Sequence, residues 1–168
     1  MINNHKHGFT LIELILYVSI VTVFITALVP FAWNVILGGE KSSSQQEVYA
    51  QARLISERIK YEIRNSTGVN SVSSNAISLA VSNVENNPTV IDVSSGNVRI
   101  TLGAAAAENL NSVTTTATTL TFTDYTSSDT KTKHIQFVLT LDDTYTGGRQ
   151  EYEVPPITIE GSAEVRSN

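Results

Sequence analysis

The chain has no cysteine, which excludes a disulfide framework, thiolate catalysis and any Cys-based metal site. Histidine is scarce as well. Of 3 histidines, His5 and His7 lie in the first few residues. His134 stands alone in the remainder, after Lys131 and Lys133, and reads as an exposed residue at the start of a strand. One histidine cannot build a His-rich zinc centre, and no serine sits in a nucleophile-elbow context. Basic residues do not cluster. The 11 Lys and Arg stand against 16 Asp and Glu, a net charge of −5, and the acids outnumber the bases beyond residue 41. The C-terminal part therefore lacks the electrostatic footprint of a nucleic-acid or anionic-membrane binder. With no paired base and nucleophile left, the sequence does not read as an enzyme, and it calls for no cofactor.

Charge is also missing from one long run. Leu14 to Leu37 contains no Asp, Glu, Lys, Arg or His. About 24 residues at ~1.5 Å each give a helix of roughly 36 Å, enough for a hydrocarbon core of about 30 Å. A secretory signal has a shorter apolar core and a small-x-small cleavage site after it. This run is too long and no such site follows. The size of the chain fits one spanning helix and one further domain. Lys6 before the run predicts a single pass through the cytoplasmic membrane with the bulk of the chain outside the cytoplasm. A plain membrane anchor needs no more than this.

The stretch Gly8-Phe9-Thr10-Leu11-Ile12-Glu13 asks for more. It plants one carboxylate at the head of the apolar run, where a charge is costly unless paired or hydrated. Solvation at headgroup depth would account for Glu13 alone, but not for the glycine and its neighbours. The motif resembles the prepilin processing and methylation site of type IV pilins and type II secretion pseudopilins. The resemblance implies cleavage between Gly8 and Phe9 by a prepilin peptidase and methylation of the new Phe9 amine. It implies that Glu13 faces the N-terminal amine of a neighbouring subunit and so serves filament assembly. A buried pair of that kind sets register more than it adds stability. Pro30, at the position where many such pilins have a proline, is expected to kink or loosen the helix near Thr26. Thr26 is placed to help satisfy the freed carbonyl, while Ser19 and Thr22 read as hydroxyls bonded to their own helix.

Beyond the run, Gly38-Gly39 would either end the helix or act as a flexible joint. Helical spacing resumes from about Ser43 to Asn65. Val48, Ala52, Ile55, Ile59 and Ile63 make a one-sided apolar stripe, and Ser44 with Glu47 a possible capping box. A short coiled coil would share the spacing; the resemblance implies that the stripe lies on a small sheet. Asn65 to Gly68 is a plausible stop. Alternation then predicts strands at Ala76–Val81, Val90–Val93, Asn97–Leu102, Thr118–Thr123, Ile135–Leu141 and Tyr152–Ile159. Ser95-Gly96-Asn97 and Gly147-Gly148 read as turns, Ala104–Ala107 as loop or one helical turn, and Pro155-Pro156 as a break or an edge.

The expected fold is α+β: a long N-terminal helix, transmembrane then amphipathic, packed on a C-terminal antiparallel sheet. The divisions are a leader at 1–8, a filament-core helix at 9–37, an amphipathic helix at 38–67 and a β-rich head at 68–168. Asp124, Asp129, Asp142 and Asp143 are oxygen donors at loops, yet follow no calcium-loop pattern, so no metal is expected. Asn65-Ser66-Thr67 formally fits a glycosylation sequon. The chain is most similar to minor pilins or minor pseudopilins, whose partners are the peptidase, other pilin or pseudopilin subunits, the inner-membrane assembly platform and the lipid bilayer. The alternative is a membrane-anchored extracellular protein that binds a ligand or adheres without entering a filament.

Overall fold

A computed structural model describes residues 8–127, 133–147 and 154–165. It forms two compact units, one ending at Glu40 and one beginning at Lys41. A single helix, α1, runs Leu11–Asn65. Gly38-Gly39 does not end it. Each glycine costs a helix only about 1 kcal/mol relative to alanine, which good formers on either side offset. The expected start at Ser44 is overridden in the same way: with the helix already running, Glu47 has no end to cap, and its carboxylate accepts from Thr114 Oγ1 at 2.6 Å.

In the first unit the apolar residues of α1 are exposed throughout, from Leu11 to Ile36. In the second unit α1 has a buried face, made of Val48, Ala52, Ile55, Ile59 and Ile63. These are the five residues of the sequence stripe, and they enter one core with apolar residues of two sheets. The helix ends as its sequence suggests. Ser66 Oγ donates to the Ile63 carbonyl at 2.7 Å, and Thr67 N–H passes to the Ala80 carbonyl at 2.8 Å.

The strands are β1 (Gly68–Ser73), β2 (Ala76–Ala80), β3 (Thr89–Ser94), β4 (Asn97–Leu102), β5 (Glu108–Asn109), β6 (Thr115–Asp124), β7 (His134–Asp143) and β8 (Ile157–Glu164). β1 to β5 form one antiparallel sheet in chain order, and β6 to β8 a second. The β3–β4 turn has positive φ at both Ser95 (51°) and Gly96 (75°), the geometry that suits a two-residue hairpin. Residues Ala104 to Ala107 are turn and loop.

The hairpin turns of the first sheet dock on the edge of the second. Phe122 N–H donates to the Ser74 carbonyl at 3.2 Å, and Ala117 N–H to the Gly96 carbonyl at 2.8 Å. Asn111 completes the joint from the loop between β5 and β6. Its Oδ1 accepts Val98 N–H at 2.9 Å and its Nδ2 donates to the Thr115 carbonyl at 2.8 Å. The result is one α+β head with a helical face and two sheets.

Two expectations shift in detail. The last strand, expected at Tyr152–Ile159, is found at Ile157–Glu164; Tyr152 lies outside the described residues, and Val154 to Pro156 is not strand. The proline pair thus precedes the strand and takes no place in its ladder. β1 was not among the expected strands: Gly68-Val69-Asn70-Ser71-Val72-Ser73 carries few apolar residues, and its pairing with β2 holds it.

Candidate assembly segment

The helix start is built by Thr10. Its carbonyl accepts Leu14 N–H at 3.2 Å, the first intrahelical bond, and its Oγ1 accepts Glu13 N–H at 3.4 Å. Thr10 is therefore the N-cap and satisfies one of the orphan donors of the first turn. The sequence reading missed this, although threonine followed three residues later by glutamate is a capping-box pattern. Glu13 stands in the first turn, where the helix dipole favours a negative charge. Among the described residues Glu13 makes no ion pair. Phe9 lies just before the cap, and its ring meets that of Tyr17 edge-on, with centroids 6.2 Å apart.

Among the described residues, a Cβ at Gly8 would meet nothing within 4 Å. Pro30 is inside α1 and withholds a donor from the Thr26 carbonyl. Thr26 does not answer that carbonyl with its side chain. Its Oγ1 donates to Thr22 O at 2.7 Å, while Ser19 Oγ donates to Ile15 O at 2.8 Å and Thr22 Oγ1 to Val18 O at 2.7 Å. All three hydroxyls are thus satisfied within the helix, as an apolar surrounding requires. By length and composition α1 is the one described helix able to cross a membrane.

The acidic loops of the head are occupied by their own backbone. Asp124 Oδ1 accepts Thr126 N–H at 2.8 Å and also the Thr126 hydroxyl. Asp142 Oδ1 accepts Asp143 N–H at 2.9 Å, and Asp143 Oδ1 accepts Tyr145 N–H at 3.2 Å. These are turn-stabilising bonds. Asp129 lies outside the described residues. Among the described residues no group of three His, Asp or Glu side chains is placed to hold a metal ion. His134 begins β7, half-buried, with Nδ1 3.7 Å from Glu164 Oε1.

A family model described as the prokaryotic N-terminal methylation motif matches residues 3–29. No curated protein and no solved structure matches the chain. The chain carries the N-terminal signature of type IV pilins and pseudopilins. Its long N-terminal helix followed by antiparallel sheets is an α+β, pilin-like fold.

Proposed function

We propose that this chain is a minor pilin or minor pseudopilin, a structural subunit of a type IV pilus or type II secretion pseudopilus. The observation that carries the reading is the methylation motif set directly before an apolar helix whose first unit buries none of its large side chains. Such a surface is stable only against lipid or against other helices. The two environments correspond to the two states of a filament subunit: anchored in the bilayer, then assembled.

In this reading residues 1–8 are the leader, 9–37 the filament-core helix, 38–67 the amphipathic helix and 68–168 the head. The prepilin peptidase cuts between Gly8 and Phe9 and the Phe9 amine is methylated. The freedom around Gly8 supports this, since the demand for glycine then comes from the peptidase and not from the fold. The cut leaves Thr10 in place, so the mature helix keeps its cap. Glu13 pairs with the N-terminal amine of a neighbouring subunit. Pro30 loosens one turn of the core helix. Lys6 holds the leader in the cytoplasm and the head lies outside it. The chain performs no turnover chemistry. Lack of the cysteines found in many major pilins favours a minor subunit.

Shearing cells and probing the filament fraction tests the reading. The chain should appear there with other pilin subunits when the assembly platform is active. Retention of the whole pool in the membrane under those conditions would support the anchored, non-filament alternative instead.

A further inference from the structure

Among the described residues β8 has a strand on one side only, and its register says which backbone groups face out. Val165 N–H donates to the Lys133 carbonyl at 3.0 Å. The pairing continues in step from His134 with Glu164 to Leu141 with Ile157. Bonded and non-bonded pairs alternate along an antiparallel ladder. Ala163, Gly161, Ile159 and Ile157 therefore bond to β7. The N–H and C=O groups of Thr158, Glu160, Ser162 and Glu164 point away from the sheet.

The same counting works on β6, where its outcome is visible. Tyr125 N–H donates to His134 O, directly opposite, so Phe122 N–H must point outward; past the bulge Ala117 N–H does so too. These two outward groups are taken by the hairpin turns of the first sheet, through the carbonyls of Ser74 and Gly96. The β6 edge is thus covered at two points by the first sheet. Among the described residues, no strand lies beside β8.

Open edges are usually blunted by charged side chains, lysine above all, by proline or by charges turned inward. β8 has no proline, lysine or inward charge within its length; its two charges are both acidic, which sets the sign of a strand that can pair there. Its prolines come before it, and Glu160 and Glu164 share the solvent face with Thr158 and Ser162. The inner face carries Ile157, Ile159 and Ala163 over the core. Gly161 interrupts that face, where a Cβ would strike the Phe137 ring. Lys60 and Arg64 of α1 stand at the same place and, with Gln136, Glu160, Gly161 and Ser162, line an open concavity of about 420 Å³. Lys60 is bonded to Glu57 at 3.0 Å, while Arg64 has no ion pair among the described residues.

We propose that the β8 edge receives an extended segment of another polypeptide as a further strand, one whose residues alternate apolar and basic. Main-chain bonds to the four outward residues supply the attachment. Basic side chains on the solvent face lie across from Glu160 and Glu164, and opposite charges on neighbouring strands attract. Apolar side chains on the other face extend the core, and Lys60 with Arg64 repel a register that turns basic residues inward. Two β8 edges from copies of this chain would bring acidic faces together, so a second copy is the poorer occupant. The inference concerns the head alone and does not rest on filament assembly.

The test uses the full, isotope-labelled chain in detergent micelles and amide hydrogen exchange read residue by residue. The probes are capped octapeptides alternating valine with lysine, or valine with glutamate as control. In the free chain Thr158, Glu160, Ser162 and Glu164 should exchange at least ~10-fold faster than Ile159, Gly161 and Ala163. The valine–lysine peptide should slow those four amides about 10-fold or more, and the valine–glutamate peptide should not. A Glu160→Lys/Glu164→Lys variant, altered only on the exposed face, should reverse the preference. The proposal is overturned if the four amides are already protected in the free chain. It is equally overturned if neither peptide slows them, if both do so equally, or if raising the concentration of the chain alone protects them.

Discussion

The side-chain oxygen of Asn111 accepts the N–H of Val98 at 2.9 Å, fixing a loop residue to the turn end of the β3–β4 hairpin. The amide nitrogen of Asn111 also donates to the Thr115 carbonyl at 2.8 Å, with longer contacts to Gly96 O and Asn97 Oδ1 at 3.4 and 3.3 Å. One residue, only 7% exposed, thus ties the first sheet to the first residue of the second.

Asn111→Ala should leave the Val98 N–H and the Thr115 carbonyl buried without partners, at a cost of about 2–3 kcal/mol. Urea unfolding of the detergent-solubilised chain, followed by a signal from the head, measures it. Asn109→Ala, which removes an exposed side chain outside this joint, is the control and should cost far less. Equal losses for the two variants would mean that Asn111 does not hold the joint.

Glu57 and Lys60 give a prediction with a sign. The hydrogen bond and charge of Lys60 hold the Glu57 carboxyl below its ordinary pKa. A carboxylate depressed in the folded state contributes stability above the unfolded pKa and loses it as pH falls through the folded one. The pair is exposed, so the effect on stability is small. Lys60→Met should raise the pKa of Glu57, as read by a side-chain carboxyl titration in NMR. An unchanged midpoint would contradict the interaction.

Gly38→Ala with Gly39→Ala should firm the helix at the boundary between the two units. A Cβ at either position meets nothing within 4 Å, and alanine is about 1 kcal/mol better than glycine in a helix. Amide exchange from Ile36 to Ser43 should slow. Unaltered exchange would show that the helix there is not limited by the glycines.

Glu13→Ala separates anchoring from assembly. Removing a charge from the head of the apolar run should leave membrane insertion intact or slightly improved. The loss should appear in the filament pool, where a neighbouring amine is deprived of its partner. Comparing membrane and filament fractions, in cells where this chain limits assembly, checks it; unchanged incorporation would remove the pairing role from Glu13.

Much of this was legible in the sequence where one apolar face meets one core. The stripe from Val48 to Ile63 is such a case, and so is β4, found at Asn97–Leu102 as its alternation predicts. Local signals failed where tertiary contacts took over. Ser44 and Glu47 look like a cap, but Glu47 serves Thr114, 67 residues away. β8 reads poorly because Gly161 occupies an inward position, the Phe137 ring taking the space of a side chain. Asn111 gives no sign in sequence, since its value lies in backbone groups brought to it by the fold. At the N-terminus the order of Gly8, Phe9 and Glu13 before the apolar run was readable outright. Thr10 was not read as the cap, because its capping partner Glu13 was already explained by charge.

If the chain is processed as proposed, its mature form begins at Phe9. Mass spectrometry of the N-terminus, on protein from a host with an active prepilin peptidase, tests it most directly. The first residue should be Phe9 carrying one methyl group on its amine. A chain that keeps Met1, or one cut elsewhere than between Gly8 and Phe9, would contradict it.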